Sequence, residues 1–282
     1  MFIFQQVTDI RYYLDTKRLA NIEIGLVPTM GALHNGHLSL IKQSKKQTGL
    51  TVCSIFINPT QFNDQKDYEK YPVTIHQDIH MLLKAGCDVL FLPSAKEFYP
   101  QETSLLPHYN LGYLETVLEG KFRPGHFQGV CQAVDRLLKI TEPDFLFMGQ
   151  KDFQQCMVIK KLIELTGVST QLMVGPTLRE DDGLAMSSRN TRLDEAQRKK
   201  AMAIFQTLSW MKSQLKPGNV VQLKQTATSL LEEQGFGVDY TELAKAETLE
   251  LMNEWNGTDE VVALIAAYLE GVRLIDNSIL TS

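Results

Sequence analysis

The sequence predicts an α/β fold: a Rossmann-like doubly wound parallel sheet over residues 1–175, followed by a second, smaller α+β C-terminal domain over 176–282. Three observations predict it. Short apolar runs alternate with helical stretches through the first part of the chain, and parallel strands need such helical crossovers. Turns bearing glycine or proline follow the ends of several of those runs. Beyond residue 175 the alternation stops, and two helical stretches precede a group of strand-like runs.

In chain order, an N-terminal segment reads as helix. Residues 22–27 are a short apolar run ending at Pro28, and 51–57 are another ending at Pro59; both read as buried strands. Residues 38–48 between them have helical character and complete a βαβ unit. The pattern recurs as helix 74–85 before strand 89–92, helix 127–140 before strand 145–148, and helix 151–165 before strand 171–174. An open sheet of this kind takes its ligands outside the carboxyl ends of its strands. In the second part a polar loop precedes helices over 195–215 and 220–234, separated by Lys216-Pro217-Gly218-Asn219. Strands follow over 240–243, 261–268 and 272–275, with Gly271 near the turn between the last two.

The 282 residues are 44% hydrophobic, ample for the cores of one or two domains. Twenty-eight basic against thirty-three acidic residues leave a net charge of -5, which offers a polyanion no general attraction, so no nucleic-acid partner is expected. Cys53, Cys87, Cys131 and Cys156 are widely spaced without a C-x-x-C pair, and each reads as a small, buried, reduced side chain. The N-terminal segment meets polar residues too early for a signal-peptide apolar run, and no stretch is long enough to span a bilayer. A cytoplasmic protein with no membrane partner is the expectation.

Four stretches carry candidate chemistry. The first, Pro28-Thr29-Met30-Gly31-Ala32-Leu33-His34-Asn35-Gly36-His37, lies between a strand and its crossover helix. Two histidines three apart share a face, two glycines let backbone approach a bound group, and a helix N-terminus offers N–H donors to phosphate. The same histidines could instead be a metal pair or helix caps. The second, Asn58-Pro59-Thr60-Gln61-Phe62, turns sharply at proline toward Gln61, whose amide can donate and accept as recognition of a hydroxy acid requires; alone, it could be a plain turn with Gln61 in solvent. In the third, Gly149-Gln150-Lys151-Asp152-Phe153-Gln154-Gln155, a lysine at a helix start can reach phosphate oxygens, although a K-D pair there is ordinarily a solvated cap. The fourth, Met186-Ser187-Ser188-Arg189-Asn190, offers two hydroxyls and a guanidinium suited to a triphosphate, or is a serine-rich linker. A basic loop over 119–127 reads equally as a lid or as ordinary surface.

H-x-G-H after a strand resembles the signature of the nucleotidylyltransferase superfamily, which includes the class I aminoacyl-tRNA synthetases. The longer string PTMGALHNGH, with N-P-x-Q-F, G-x-K-D-x-Q-Q and a Met-Ser-Ser-Arg loop similar to the K-M-S-K-S loop of the synthetases, resembles the pantothenate synthetase family. The resemblance is dense over residues 25–190. It implies an AMP-forming acid–amino-acid ligase that condenses pantoate with β-alanine using ATP, through a pantoyl adenylate, releasing AMP and pyrophosphate. ATP, accompanied by Mg²⁺, would contact Met30, Gly31, Ala32, Leu33, His34, Asn35, Gly36 and His37, then Gly149, Gln150, Lys151 and Asp152, then Leu178 by its backbone, then Met186, Ser187, Ser188 and Arg189. His34, His37 and Lys151 would be catalytic. Gln61 and Gln155 would hold pantoate, with Gln61 also beside β-alanine. A homodimer is implied as well, whereas the ligands of the metal are not. The chain departs from the family string at Gln150 and Phe153, where a Glu and a Tyr are expected.

Rival readings share only part of this pattern. A nucleotidyltransferase making a dinucleotide shares H-x-G-H but not the two glutamine strings. Net acidity and a short C-terminal region oppose an aminoacyl-tRNA synthetase, and the lack of G-x-G-x-x-G after a strand opposes a dehydrogenase. A nucleotide sensor would use the same loops without turnover.

Overall fold

A computed structural model describes residues 1–63, 68–100 and 106–281. The chain divides into two compact units, Met1–Gly149 with Gln155–Pro176, and Gln150–Gln154 with Thr177–Ser282.

In the first unit the elements run β1 (Phe2–Phe4), α1 (Val7–Leu19), β2 (Ile24–Thr29), α2 (Asn35–Gln47), β3 (Leu50–Ile55), α3 (Ile75–Ala85), β4 (Val89–Phe91), α4 (Ala95–Phe98), α5 (Leu118–Phe122), α6 (His126–Thr141), β5 (Phe145–Gly149), α7 (Phe153–Thr166) and β6 (Gln171–Gly175). Six strands pair in parallel in the order β1-β4-β3-β2-β5-β6. This is the doubly wound α/β sheet the alternation predicts. The order reverses between β2 and β5, so the loops leaving their carboxyl ends diverge at the topological switch point.

One expectation fails at the start: the segment does not open as helix. Phe2–Phe4 is an edge strand paired with β4, and the helix begins only at Val7. Three residues are too few for period-two alternation to stand out against the helical pattern that follows. Pro28 is likewise inside β2 rather than after it. The Thr29 carbonyl accepts the Phe56 N–H on the β3 side, so Pro28, one residue earlier, turns its missing donor toward β5, whose pairing with β2 stops at Leu26.

Side-chain alternation sorts the strands onto two cores. Leu26, Val52 and Val89 join Ile10 and Leu14 of α1 and Val130, Val134 and Leu137 of α6 on one face. Val27, Cys53 and Leu90 join Leu40 and Ile41 of α2 and Leu82 of α3 on the other. All six residues of β3 are buried, as a central parallel strand covered on both faces requires.

The second unit contains α8 (Glu195–Gln214), β7 (Gly218–Asn219), α9 (Val221–Glu232), β8 (Gly237–Lys245), β9 (Glu254–Trp255), β10 (Val261–Leu269) and β11 (Val272–Ile279). An antiparallel sheet in the order β11-β10-β8 packs against the helices through Ile204, Leu208, Leu231, Leu243, Ile265 and Leu274. This is the smaller α+β region that the change of grammar predicts. β11 extends four residues beyond the expected strand and takes in Asp276 and Asn277. Among the described residues no helix is long and apolar enough to cross a membrane.

Candidate active site

β2 delivers the chain into the first motif at Thr29. Its hydroxyl donates to the Ser54 carbonyl at 2.8 Å and accepts the Gly31 N–H at 3.1 Å. Gly31 and Ala32 then take positive φ values of 82° and 48°. Left-handed backbone is costly for a residue with a Cβ, and a carboxylate holds this turn in place. Asp78 of α3 accepts the N–H groups of Ala32 at 3.0 Å and Leu33 at 2.8 Å, and the Thr74 hydroxyl at 3.1 Å. It is only 1% exposed, and its burial is tolerable because these donors replace water. Glycine is required at position 31: besides the positive φ, a Cβ there would lie 3.1 Å from an Asp78 oxygen and from Ile55.

Helix α2 starts at Asn35, three residues earlier than its apolar pattern indicates, because the two histidines cap it. His34 Nδ1 accepts the Gly36 N–H at 3.2 Å and His37 Nδ1 accepts the His34 N–H at 3.3 Å, as parts of a reciprocal capping box. The ring centroids are 4.0 Å apart. A ring nitrogen that accepts is deprotonated, so each neutral imidazole carries its proton on Nε2 as a donor. Of the alternatives for this pair, capping is realised, and it orients both rings at a helix N-terminus, where anions are favoured.

The second motif is built around Asn58, which is 1% exposed. Its amide donates to the Gly129 carbonyl at 2.9 Å and to Gln61 Oε1 at 3.3 Å, and its Oδ1 accepts the Thr60 hydroxyl and the Tyr99 phenol. Burial pushes Tyr99 up to about 12, which keeps that phenol a donor. Gln61 closes a one-turn helix, Pro59–Gln61, and its Nε2 lies 2.8 Å from Met30 Sδ. Thus the structure brings Gln61 to the first motif rather than leaving it a bare turn residue. The segment over 119–127 packs here too: part of it is α5, and Arg123 donates to His126 Nε2, so the Nδ1–H of His126 donates to the Gln61 carbonyl at 2.7 Å.

In the third motif Gly149 ends β5, and beyond the glycine and its two chain neighbours no described atom lies within 4 Å of where its Cβ would stand. Gln150–Asp152 form a single 3-10 turn before α7. Lys151 is therefore on that turn, ahead of the α-helix that carries Gln155. Lys151 Nζ stands 3.8 Å from Asp152 Oδ1. Gln155 is half-buried on the first turn of α7.

The fourth motif closes a short hairpin. Met186 N–H donates to the Leu178 carbonyl at 3.0 Å, and Arg179 and Ala185 form a bridge. Two expected ATP contacts eight residues apart are thereby adjacent. Ser187 caps the 3-10 turn Ser188–Arg192 by accepting the Arg189 N–H at 3.2 Å. Buried Asn190 fastens this turn to the Ala185 carbonyl at 3.0 Å.

Three supporting residues escaped the sequence reading. Asn58 and His126 were visible only as parts of a turn and a loop. Asp78 left one usable signal: an acid at the core-facing position of a helix between Ile75, Ile79 and Leu82.

Comparison with known proteins bears on the whole chain. The family model described as Pantoate-beta-alanine ligase matches residues 2–279. A pantothenate synthetase of Cytophaga hutchinsonii is 40% identical over 99% of both chains, and one of Azobacteroides pseudotrichonymphae is 43% identical over 98% of this chain and 99% of that one. Among solved structures, a pantothenate synthetase from Thermus thermophilus superposes with a TM-score of 0.92 at 34% identity over all of both chains. The Francisella tularensis pantoate-beta-alanine ligase, described as complexed with beta-gamma ATP and beta-alanine, gives 0.83 at 37% identity over 99% and 98% of the two chains.

Proposed function

The chain belongs to the pantoate-beta-alanine ligase family, and from that premise we propose how it condenses pantoate with β-alanine using ATP. A carboxylate oxygen of pantoate attacks the α-phosphorus. A P–O bond forms, the α–β bridge breaks and pyrophosphate leaves. The amine of β-alanine then attacks the acyl carbon of the pantoyl adenylate, forming the amide as AMP departs and the amine gives up a proton.

Bringing two anions together and absorbing charge on the leaving pyrophosphate calls for positive charge and fixed donors. The observation that carries this reading is the capped turn after β2. Its two imidazoles have Nδ1 committed to backbone, which puts their Nε2 protons forward as donors at the N-terminus of α2. ATP contacts run along Met30, Gly31, Ala32, Leu33, His34, Asn35, Gly36 and His37. Gly149, Gln150, Lys151 and Asp152 supply a second group, and Leu178, Met186, Ser187, Ser188 and Arg189 a third. Lys151 and Arg189 neutralise phosphate charge, and a single such donor is worth roughly two to three orders of magnitude in rate. Gln61, fixed by Asn58 and His126, holds pantoate with Gln155 and presents the acyl carbon to β-alanine. Among the described residues no group of three or more His, Cys, Asp or Glu could hold a metal ion. Mg²⁺ accompanying ATP would add positive charge beside that of Lys151 and Arg189. The family reading also carries a homodimer, and the reduced, widely spaced cysteines favour a cytoplasmic location.

The test is pyrophosphate exchange into ATP with pantoate as the sole carboxylate and β-alanine omitted. Exchange confined to pantoate is expected. Exchange with other hydroxy acids would change the substrate, and none with any acid would remove the adenylate.

A further inference from the structure

We propose that Asn277, backed by Asp276 and Arg179, is a positioning residue that fixes the peptide planes of the Lys151 turn for nucleotide binding. Asn277 sits on β11 and is 2% exposed. Its amide nitrogen has two protons, and two acceptors meet them: the carbonyl oxygens of Gln150 at 3.0 Å and Lys151 at 2.8 Å. Its own Oδ1 accepts Gln150 Nε2 at 3.4 Å. These partners are 126 and 127 positions away in the chain, and they belong to the same compact unit as Asn277.

A peptide group is planar and trans, so its C=O and the following N–H point in opposite directions. Holding the Gln150 carbonyl fixes the direction of the Lys151 N–H, and holding the Lys151 carbonyl fixes that of Asp152. Asn277 therefore turns two successive N–H groups to the side away from itself, and sets the backbone from which the lysine projects. Oriented backbone donors beside a cation are what a phosphate chain binds.

The clamp is itself braced. Asp276 accepts the Asn277 N–H at 2.8 Å and is gripped through both oxygens by Arg179, at 2.6 and 3.1 Å. Arg179 also donates to the Asn277 carbonyl at 3.3 Å and the Gly183 carbonyl at 3.1 Å, and stacks over the Phe205 ring at 4.3 Å. A guanidinium has a planar fork of donors that few side chains could replace here. Because Arg179 follows Leu178, the same cluster ties the Lys151 turn to the hairpin that carries the proposed adenine contact. Neither Asp276 nor Asn277 touches the proposed reacting atoms; both act through the backbone they hold.

The inference rests on the proposed ATP contacts of residues 149–152, and its test separates the two. The full chain carrying Asn277→Ala, Asn277→Ser or Lys151→Ala is compared with the parent by steady-state kinetics, thermal melting and amide hydrogen exchange. Stranding two part-buried carbonyls in Asn277→Ala should raise KM for ATP about tenfold, with a smaller rise in Asn277→Ser. KM for pantoate and β-alanine should stay within about twofold in both, and exchange should quicken over 149–155 but not over 28–37. A folded Asn277 variant with parental KM for ATP and parental exchange overturns the inference; if the alanine variant does not fold, the serine variant decides by the same readings. Lys151→Ala with unimpaired ATP use would overturn the underlying reading and this one with it. Impaired Lys151→Ala beside normal Asn277 variants would overturn this one alone.

Discussion

Two turns that leave the sheet from β2 and β5 solve the same problem in opposite ways. The turn after β2 is held largely by its own residues: Thr29 binds Gly31, and His34 and His37 cap the helix they open. From elsewhere Asp78 of α3 accepts two of its N–H groups, and Gln61 lies against Met30. The turn after β5 has its carbonyls gripped by Asn277 near the other end of the chain. Motif density follows this difference. A self-capped loop must write its restraints into contiguous sequence, whereas a clamped loop needs only a lysine and a glycine locally and can place its restraint on a distant strand.

Several experiments break or sharpen the contrast. The largest effect is expected from Lys151→Ala. Its ion pair with the half-exposed neighbour Asp152 at 3.8 Å contributes little to stability, so kcat should fall roughly 10²- to 10³-fold while the melting temperature holds. Next is Asp78→Ala in the other turn, which strands two backbone donors at a buried site and should cost about 2–3 kcal/mol by chemical denaturation, with a raised KM for ATP. If Asp78→Ala were neutral, the left-handed turn would be fully self-supporting. Gly129→Ala comes third: its new Cβ would stand 2.2 Å from the Thr60 carbonyl oxygen, a backbone clash beside Gln61. A loss of about 1–3 kcal/mol is expected, with KM for pantoate rising and KM for ATP unchanged.

The smallest effect is a pH dependence confined to one unit. All four cysteines lie in the first unit and both tryptophans, Trp210 and Trp255, in the second. Burial raises Cys53 well above its usual range, Cys87 to about 11 and Cys131 to about 12. Below about pH 8.5 both folded and unfolded thiols keep their protons and contribute nothing. Above it the unfolded chain releases protons that the folded chain retains, so stability falls as pH rises toward the folded values. Thiol labelling between pH 8 and 10.5 should therefore quicken before tryptophan fluorescence reports any change; simultaneous change would contradict independent loosening of the first unit.

What the sequence discloses follows from how locally each feature is made. The parallel sheet is visible because buried strands must be apolar runs, and the four motifs are visible because their donors are contiguous. Strand β1 is missed since Phe2–Phe4 is too short to display a period. The true start of α2 is missed because its caps are histidines rather than the usual Ser, Thr, Asp or Asn. The end of β11 is missed because Asp276 and Asn277 look like a polar loop until Arg179 and the Gln150–Lys151 carbonyls are seen to satisfy them. Asp78 is hidden for the same reason, since a carboxylate at a core position makes sense only once the distant N–H groups that need it are in place.

The central chemical claim is that a carboxylate oxygen of pantoate bonds to the α-phosphorus of ATP. Pantoate labelled with ¹⁸O in both carboxylate oxygens, turned over with ATP and β-alanine, tests it directly. One labelled oxygen should appear in the phosphate of AMP, with none in pyrophosphate. Label in inorganic phosphate, with ADP as the nucleotide product, would place the attack on the γ-phosphorus and contradict the adenylate.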